Sequence, residues 1–448
     1  MKNSPHSVHP ATSPSVEGDA IYEFMETLFD LPRSITGDGN RMTLNAIGEH
    51  VPIQTFEIPT GTAVFDWTVP KEWRVNAAYI ADSTGRKIVD IENSNLHLMS
   101  YSTAVDAYFT WEELEPHLYT VHEFDDAVPY RTSYFTPSWG FCVKRQQYRD
   151  MKARSGERFK VFVDADHFDG SLSYGEVLVP GASNEEIIVS THICHPALAN
   201  DNVSGIAVSA FLAKTLLQSK CHYSFRFVFV PATIGSITWL AKNENQLNKI
   251  KGGYSIGLLG DSGHIHYKQS RHATSEFDRA ADLILQQSGD DHDIRPFVPW
   301  GHDERQYCSP GINLPVGCVM RTPYGEYPQY HTSADNMDIV CPQSLQDSYD
   351  KVLAMLHAVD ANAVFKTVLN GAEPFLAPHN LYEGYSRDAG RDAFHKAVLW
   401  MLSCADGEQD LLSIAQRSGL SVGTLRRAAN TLREKNLLEM IQGIEQAC

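Results

Sequence analysis

The sequence predicts an α/β protein whose sheet is covered by helices on both faces, with a small β domain inserted and a winged-helix-like domain at the end. Three observations carry this expectation. Apolar runs of strand length alternate with helical periodicity through the second and third quarters of the chain. Between residues 61 and 149 the texture changes to short β-prone runs rich in Trp and Tyr and broken by Pro and Gly. Near the end, DLLSIAQRSGLSVGTLRRAANTLREKNLLEM reads as helix, Gly-containing turn, helix and a short β-like close.

In chain order, the Ser- and Pro-rich residues 1–18 are expected to form a disordered leader, lacking the apolar core of a signal peptide. Ile21, Phe24, Met25 and Leu28, then Met42, Leu44 and Ile47, recur at helical spacing on either side of RSITGDGN, which predicts two helices joined by a loop. Residues 19–60 and 150–380 form the expected catalytic domain, and 61–149 the inserted domain that walls the site or mediates assembly. The strands FKVFVDADHF, YGEVLVP, EEIIVSTHI, YSFRFVFVP, YSIGLLGDSG and LPVGCVM alternate with helices from Ser204 to Gln218 and around Glu276 to Gln287. Ligands of such sheets bind at the carboxyl ends of the strands, so the polar residues that follow them carry the interest.

Composition narrows the function classes. At 448 residues the chain is long enough for two or three domains, and its net charge of −18 argues against nucleic acid or an anionic membrane as main partner. Eight cysteines are scattered singly with no CxxC pair, which fits a reducing compartment and a cytoplasmic location. The block 387–448 carries Arg426, Arg427, Arg433 and Lys435, yet its acids balance its bases, so packing or oligomerisation is expected of it ahead of DNA binding.

The strand EEIIVS runs into Thr191-His192-Ile193-Cys194-His195-Pro196, and Asn200-Asp201-Asn202-Val203-Ser204-Gly205 then opens a helix. Two imidazoles and a carboxylate at a strand end suit zinc, which takes nitrogen and oxygen donors; the competing reading is a pair of loop histidines with an N-capping Asp. Asp261 after LLG and His331 in YHTSADNMD add a carboxylate and an imidazole from two further strand ends, and together these residues complete a metal site.

With these motifs in place, the order HxxH, NDNxSG, a strand with a GS-containing turn, GD and HTSAD resembles the zinc aminopeptidase family that includes the glutaminyl cyclases. The runs RSITG, VFDWTVPKEW, HPALANDNVSG, TIGSI, DERQYCSPG and RTPYGEYPQYHTSADN resemble a bacterial aminopeptidase-like subgroup with an inserted β domain and a C-terminal winged helix, often met in polysaccharide or natural-product gene clusters. The resemblance covers nearly the whole chain and implies a mixed sheet flanked by helices, one or two zinc ions, and hydrolysis of a small peptide or aminoacylated metabolite. It assigns Asp201 as the carboxylate that bridges or anchors the metal, Asp261 as a carboxylate ligand, His331 as the distal histidine and His192 as the first histidine. The family's HxD reads His192-Ile193-Cys194 here, with His195 added, so either histidine can face the metal, and Cys194 is either a thiolate donor or a buried structural thiol.

A larger departure lies at Val230-Pro231-Ala232-Thr233-Ile234-Gly235-Ser236. The resemblance places a Glu general base at the position of Ala232, so this chain is expected to be badly impaired, whether as a substituted enzyme or as a natural binder. Asp303 and Glu304 of GHDERQYC are the alternative carboxylates, if they do not instead hold a loop or the substrate's amino group. Arg305, Arg321, Tyr324 and Tyr330 form the expected substrate-binding set. Expected partners are the small substrate and further copies of the chain, with neither nucleic acid nor membrane. Three rival functions remain: a biosynthetic amide hydrolase or deacylase, an inactive metal-pocket binding protein, and acyl transfer of the glutaminyl-cyclase type.

Overall fold

The computed structural model describes residues 18–381 and 389–442. The expected leader, Gly18 apart, lies outside them. An eight-stranded mixed sheet runs, edge to edge, Gln54–Pro59, Ser171–Val179, Ser224–Val230, Glu186–His192, Ile250–Ile256, Val316–Met320, Ile265–Lys268 and His292–Arg295. Its middle four strands are parallel. Every residue of Glu186–His192 is buried, as expected of a parallel strand covered on both faces. The parallel arrangement brings the carboxyl ends His192, Val230, Ile256 and Met320 to one edge of the sheet, with His192 in register with Val230.

The helices sit where the apolar spacing places them. Gly18–Phe29 and Asp38–Gly48 are the two early helices, and Gly205–Leu216 is buried along nearly its whole length. Glu276–Ser288 begins with a capping box in which Asp278 N–H donates to Ser275 Oγ at 3.2 Å, and it ends at Gly289, whose φ of 74° is the left-handed turn that glycine adopts without penalty.

A second, four-stranded antiparallel sheet is ordered Lys87–Asp90, Glu72–Ala81, Phe159–Phe168 and Val105–Phe109. Phe159–Phe168, read in the sequence with the alternating strands of the catalytic region, pairs here instead. Its alternating burial is that of a strand with one face on a core and the other toward solvent.

At the C-terminal end, helices Leu411–Ser418 and Val422–Glu434 pack with a three-stranded sheet of Asp406–Asp410, Val364–Thr367 and Leu438–Gln442. Val364–Thr367 precedes the expected start of this block at residue 387. One buried apolar cluster runs without a break from Ile21 and Leu28 through Ile206, Leu212 and Leu356 to Leu411, Leu425 and Leu432, so the block shares the main core. A second cluster, with Trp73, Phe141, Val161, Val228, Trp239 and Tyr307, joins the main sheet to the inserted sheet. Among the described residues no helix is long and apolar enough to cross a membrane.

Candidate metal centre at the carboxyl edge of the sheet

The turn Ala199–Ser204 between the central strand and its helix is built almost entirely by side chains that take up backbone groups. Asn200 Oδ1, Asn202 Oδ1 and Ser204 Oγ accept the N–H groups of Gly260, Leu258 and Leu259 at 2.8, 3.1 and 2.9 Å. Asn202 Nδ2 donates to Thr191 Oγ1 at 2.8 Å and to the His192 carbonyl at 3.0 Å. Asp335 accepts the N–H groups of Asn200 and Asp201 at 2.6 and 3.1 Å. Asp201 and Asn202 are outside helical dihedrals, and the helix proper starts at Gly205, so Asp201 is held by this lattice and not as a helix cap.

The carboxylate so placed is the centre of three imidazoles. Asp201 Oδ1 lies 2.9 Å from His192 Nε2 and 3.4 Å from His195 Nδ1, and Oδ2 lies 3.0 Å from His331 Nε2. The two ring nitrogens of His192 and His195 are themselves 3.0 Å apart. His331 Nε2 and Asp201 Oδ2, though close, have no hydrogen-bond partner. His192 Nε2 is within hydrogen-bonding geometry of both Asp201 Oδ1 and His195 Nδ1, and three imidazole nitrogens converging on one carboxylate match the donor set of a common cation.

The electrostatics agree. Burial alone would raise the Asp201 carboxyl, which is 0 % exposed, but the three histidines overrule it and hold it well below the usual carboxylate range. Burial pushes His195 down to about 4 against the pull of Asp201. A neutral His195 imidazole beside an ionised Asp201 carboxylate is the pair of protonation states that metal ligation requires. His192, His195 and Asp201 form a group able to hold a metal ion, and His331 adjoins it through Asp201; the residues present fit one.

The other expected site residues are distributed unevenly. Asp261 is not brought into the group: its oxygens accept Asn200 Nδ2 at 2.9 Å, Gly263 N–H at 2.7 Å, Thr322 Oγ1 at 2.6 Å and Thr322 N–H at 3.2 Å. Cys194 is buried with Sγ 3.8 Å from the Ala232 carbonyl, and burial pushes its thiol up to about 12, so it is a structural thiol. Ala232 follows Val230, the register partner of His192, and offers no donor of its own. Asp303 is 1 % exposed and accepts Ser236 Oγ at 2.7 Å; burial raises its carboxyl to about 6 while His192 nearby lowers it.

Glu304 is paired with Lys268 in a buried ion pair, and Lys268 also donates to the Trp300 carbonyl at 2.8 Å and to Tyr324 Oη at 3.2 Å. Glu304 and Tyr324 therefore hold the loop before residue 304. Arg321 is not available for a substrate carboxylate: it donates to the carbonyls of Gly263 and Ser344 and pairs with Asp347 at 2.8 Å. Arg305 keeps a buried Nε without a partner. Tyr330 stacks on His331 at 3.9 Å with the rings 14° apart.

Four residues at the site escaped the sequence reading. Tyr130, from the inserted segment, meets His195 and His331 edge-on at 5.0 and 5.2 Å, and its hydroxyl lies 3.3 Å from that of Tyr134. His302 lies 4.6 Å from His192 with its Nε2 buried and unpartnered, and burial holds it well below the usual histidine range. Asp335 anchors the turn from inside HTSAD. The last two lie within motifs already singled out, GHDERQYC and HTSAD, whereas nothing local marks Tyr130 or Tyr134.

Comparisons with known proteins agree with this architecture. Residues 22–362 match the family described as a domain of unknown function, DUF4910, and residues 363–440 match a winged helix-turn-helix family. A Clostridium acetobutylicum protein named for polysaccharide biosynthesis and an aminopeptidase-like domain is 41% identical over 429 residues, covering 95% of this chain and 98% of that one. A crystal structure of a candidate peptidase from the same organism superposes with a TM-score of 0.88 at 40% identity, over 95% of this chain and 96% of that chain. A zinc aminopeptidase of Bacillus subtilis, BSAP, shares the fold with a TM-score of 0.55 at 13% identity, over 76% of this chain and 94% of that chain. The chain, an aminopeptidase-like α/β domain carrying a C-terminal winged helix, belongs to the DUF4910 family.

Proposed function

We propose that the chain is a zinc-dependent amide hydrolase of the aminopeptidase type, acting on a small peptide or aminoacylated metabolite and impaired here by Ala232. The observation that carries the reading is the convergence of His192, His195 and His331 on the buried carboxylate of Asp201 at the sheet's carboxyl edge. These four residues would hold the ion, which when bound supplies Lewis acidity toward a carbonyl oxygen and toward water.

The chain's own groups define the rest. Tyr130 and Tyr330 form an aromatic wall against two of the histidines, His195 and His331. Hydrolysis of an amide also needs a group that takes a proton from water and returns it to the amine leaving group. Ala232 supplies none, and Asp303, buried near His192 and bonded by Ser236, is the carboxyl best placed to hold a proton in its stead.

Restoring a carboxylate tests this. Ala232→Glu, compared with the parent at equal zinc content by single-turnover kinetics on a panel of dipeptides and aminoacylated metabolites, should be faster by roughly a hundredfold or more. Equal, measurable rates that Asp303→Asn abolishes would move the proton-holding role to Asp303. The absence of a base at residue 232 favours one second reading, a protein that binds an amide ligand in the metal pocket without cleaving it; ligand binding with no turnover in either form would establish it.

A further inference from the structure

A second group of imidazoles and a carboxylate sits at the far edge of the main sheet. His264 directly precedes the strand Ile265–Lys268 and His266 lies two residues on, so both side chains leave the same face. That strand pairs in parallel with the edge strand His292–Arg295, in a register that sets His266 against Asp293. The two rings stack with centroids 4.4 Å apart and 17° between their planes. Their Nε2 atoms lie 3.2 and 3.0 Å from one oxygen, Asp293 Oδ2, and all three donor atoms fall within 4.8 Å of one another.

The hydrogen bonding constrains what joins these atoms. His266 Nδ1 lies 3.1 Å from the His264 carbonyl. A carbonyl only accepts, so Nδ1 carries the proton and the neutral ring presents a lone pair at Nε2 toward the Asp293 oxygen. Two lone pairs at 3.0 Å repel unless a proton or a metal ion lies between them, and without a metal His264 Nε2 can donate its proton to the same Asp293 oxygen at 3.2 Å. Protonating both rings would set two positive charges face to face at the stacking distance, whereas one divalent ion satisfies both nitrogens and the carboxylate together. Glu326, nearby, is held by Arg295 at 2.9 Å, which leaves solvent to complete the coordination.

We propose that His264, His266 and Asp293 form a second metal site, open to solvent, for a divalent transition ion that accepts two imidazoles and a carboxylate, such as zinc or copper(II). It shares no residue with the cluster around Asp201, so this inference and the proposed function fail independently. The neutral Nδ1–H bond to a backbone carbonyl is the kind of outer contact that fixes the orientation of a ligating imidazole.

Zinc titrated calorimetrically into the chelator-stripped full chain tests the site. His264 and Asp293 have side chains 44% and 53% exposed, so His264→Gln and Asp293→Asn leave the core untouched. Each variant should lose one zinc equivalent, or bind it at least tenfold more weakly, while the equivalents held at Asp201 keep their affinity. An Asp201→Asn chain should in turn retain the equivalent that Asp293→Asn removes. Identical stoichiometry and affinity in the parent, His264→Gln and Asp293→Asn would overturn the assignment, as would a parent whose zinc binding Asp201→Asn abolishes altogether.

Discussion

Asp335 accepts the N–H groups of Asn200 and Asp201 and, at 2.8 Å, the Tyr327 hydroxyl, so it acts on the metal cluster through the backbone that presents Asp201. Removing it should loosen the carboxylate without deleting a ligand. Asp335→Ala is expected to weaken zinc binding by about 10–100-fold, the usual size of an outer-contact loss, measured by competition with a chromophoric chelator. Unchanged affinity would mean that Asn200, Asn202 and Ser204 hold the turn alone. HTSAD is conspicuous in the sequence, yet Asp335's partners lie 134 and 135 residues away, beyond anything local spacing reveals. Asp261 illustrates the converse: its type and strand-end position suit a ligand, but Thr322, Gly263 and Asn200 occupy its oxygens.

At the level of elements, Asp410 ties the winged helix to the aminopeptidase-like domain. It caps the helix Leu411–Ser418 by accepting Ser413 N–H at 2.9 Å, and it takes both outer nitrogens of Arg279, on helix Glu276–Ser288, at 2.8 and 2.6 Å. Burial opposes its ionisation, but Arg279 and the capping N–H groups win and hold the carboxyl well below the usual range. Because the folded-state pKa is depressed, the stabilisation is complete above the unfolded value of about 3.9 and is lost as pH falls below it. Asp410→Asn should therefore cost about 1–3 kcal/mol near neutrality, with the difference from the parent shrinking below about pH 4 in denaturant titrations. The neighbouring helix Val422–Glu434 turns one of its arginines away from solvent. Arg426 is 4% exposed, donates toward the Ala361 carbonyl at 3.4 Å and lies over the Phe365 ring, so its charge is turned inward. Mixed with duplex DNA at sub-micromolar concentration, the chain should give no salt-sensitive gel shift, whereas specific binders work at about 10⁻⁸–10⁻¹¹ M.

Across the whole molecule, the apolar cluster that joins Ile21 to Leu432 means that the C-terminal block covers part of the core of the aminopeptidase-like domain. A chain ended at Asn362 would uncover the faces of Glu276–Ser288 and Pro342–Ala361 that this block packs against. Each large apolar side chain so exposed forgoes roughly 1.5–3 kcal/mol, and the truncated chain is expected to aggregate or to melt well below the parent in calorimetry. A soluble truncation with an unchanged melting temperature would show that the two parts fold independently. The inserted segment is joined just as directly, since Phe141 and, from the strand paired with its sheet, Val161 share a buried cluster with Val228 of the main sheet, and Tyr130 reaches over the histidines.

The sequence by itself determined the alternation of strands and helices, the winged helix, and the strand ends from which polar residues would meet. These are written in short-range periods: continuous apolar runs for covered strands, and a repeat near 3.6 for helices. It also pointed to His192, His195, Asp201 and His331, because a parallel sheet places successive carboxyl ends on one edge whatever its strand order. Only the tertiary structure decided which donors face each other. A strand's period does not name its neighbour, so Phe159–Phe168 joined the inserted sheet. Likewise, the hydrogen-bonding capacity of Asp261 and Arg321 was taken up by groups that arrive from distant elements, and Tyr130 and His302 reached the site because packing, not spacing, brought them there.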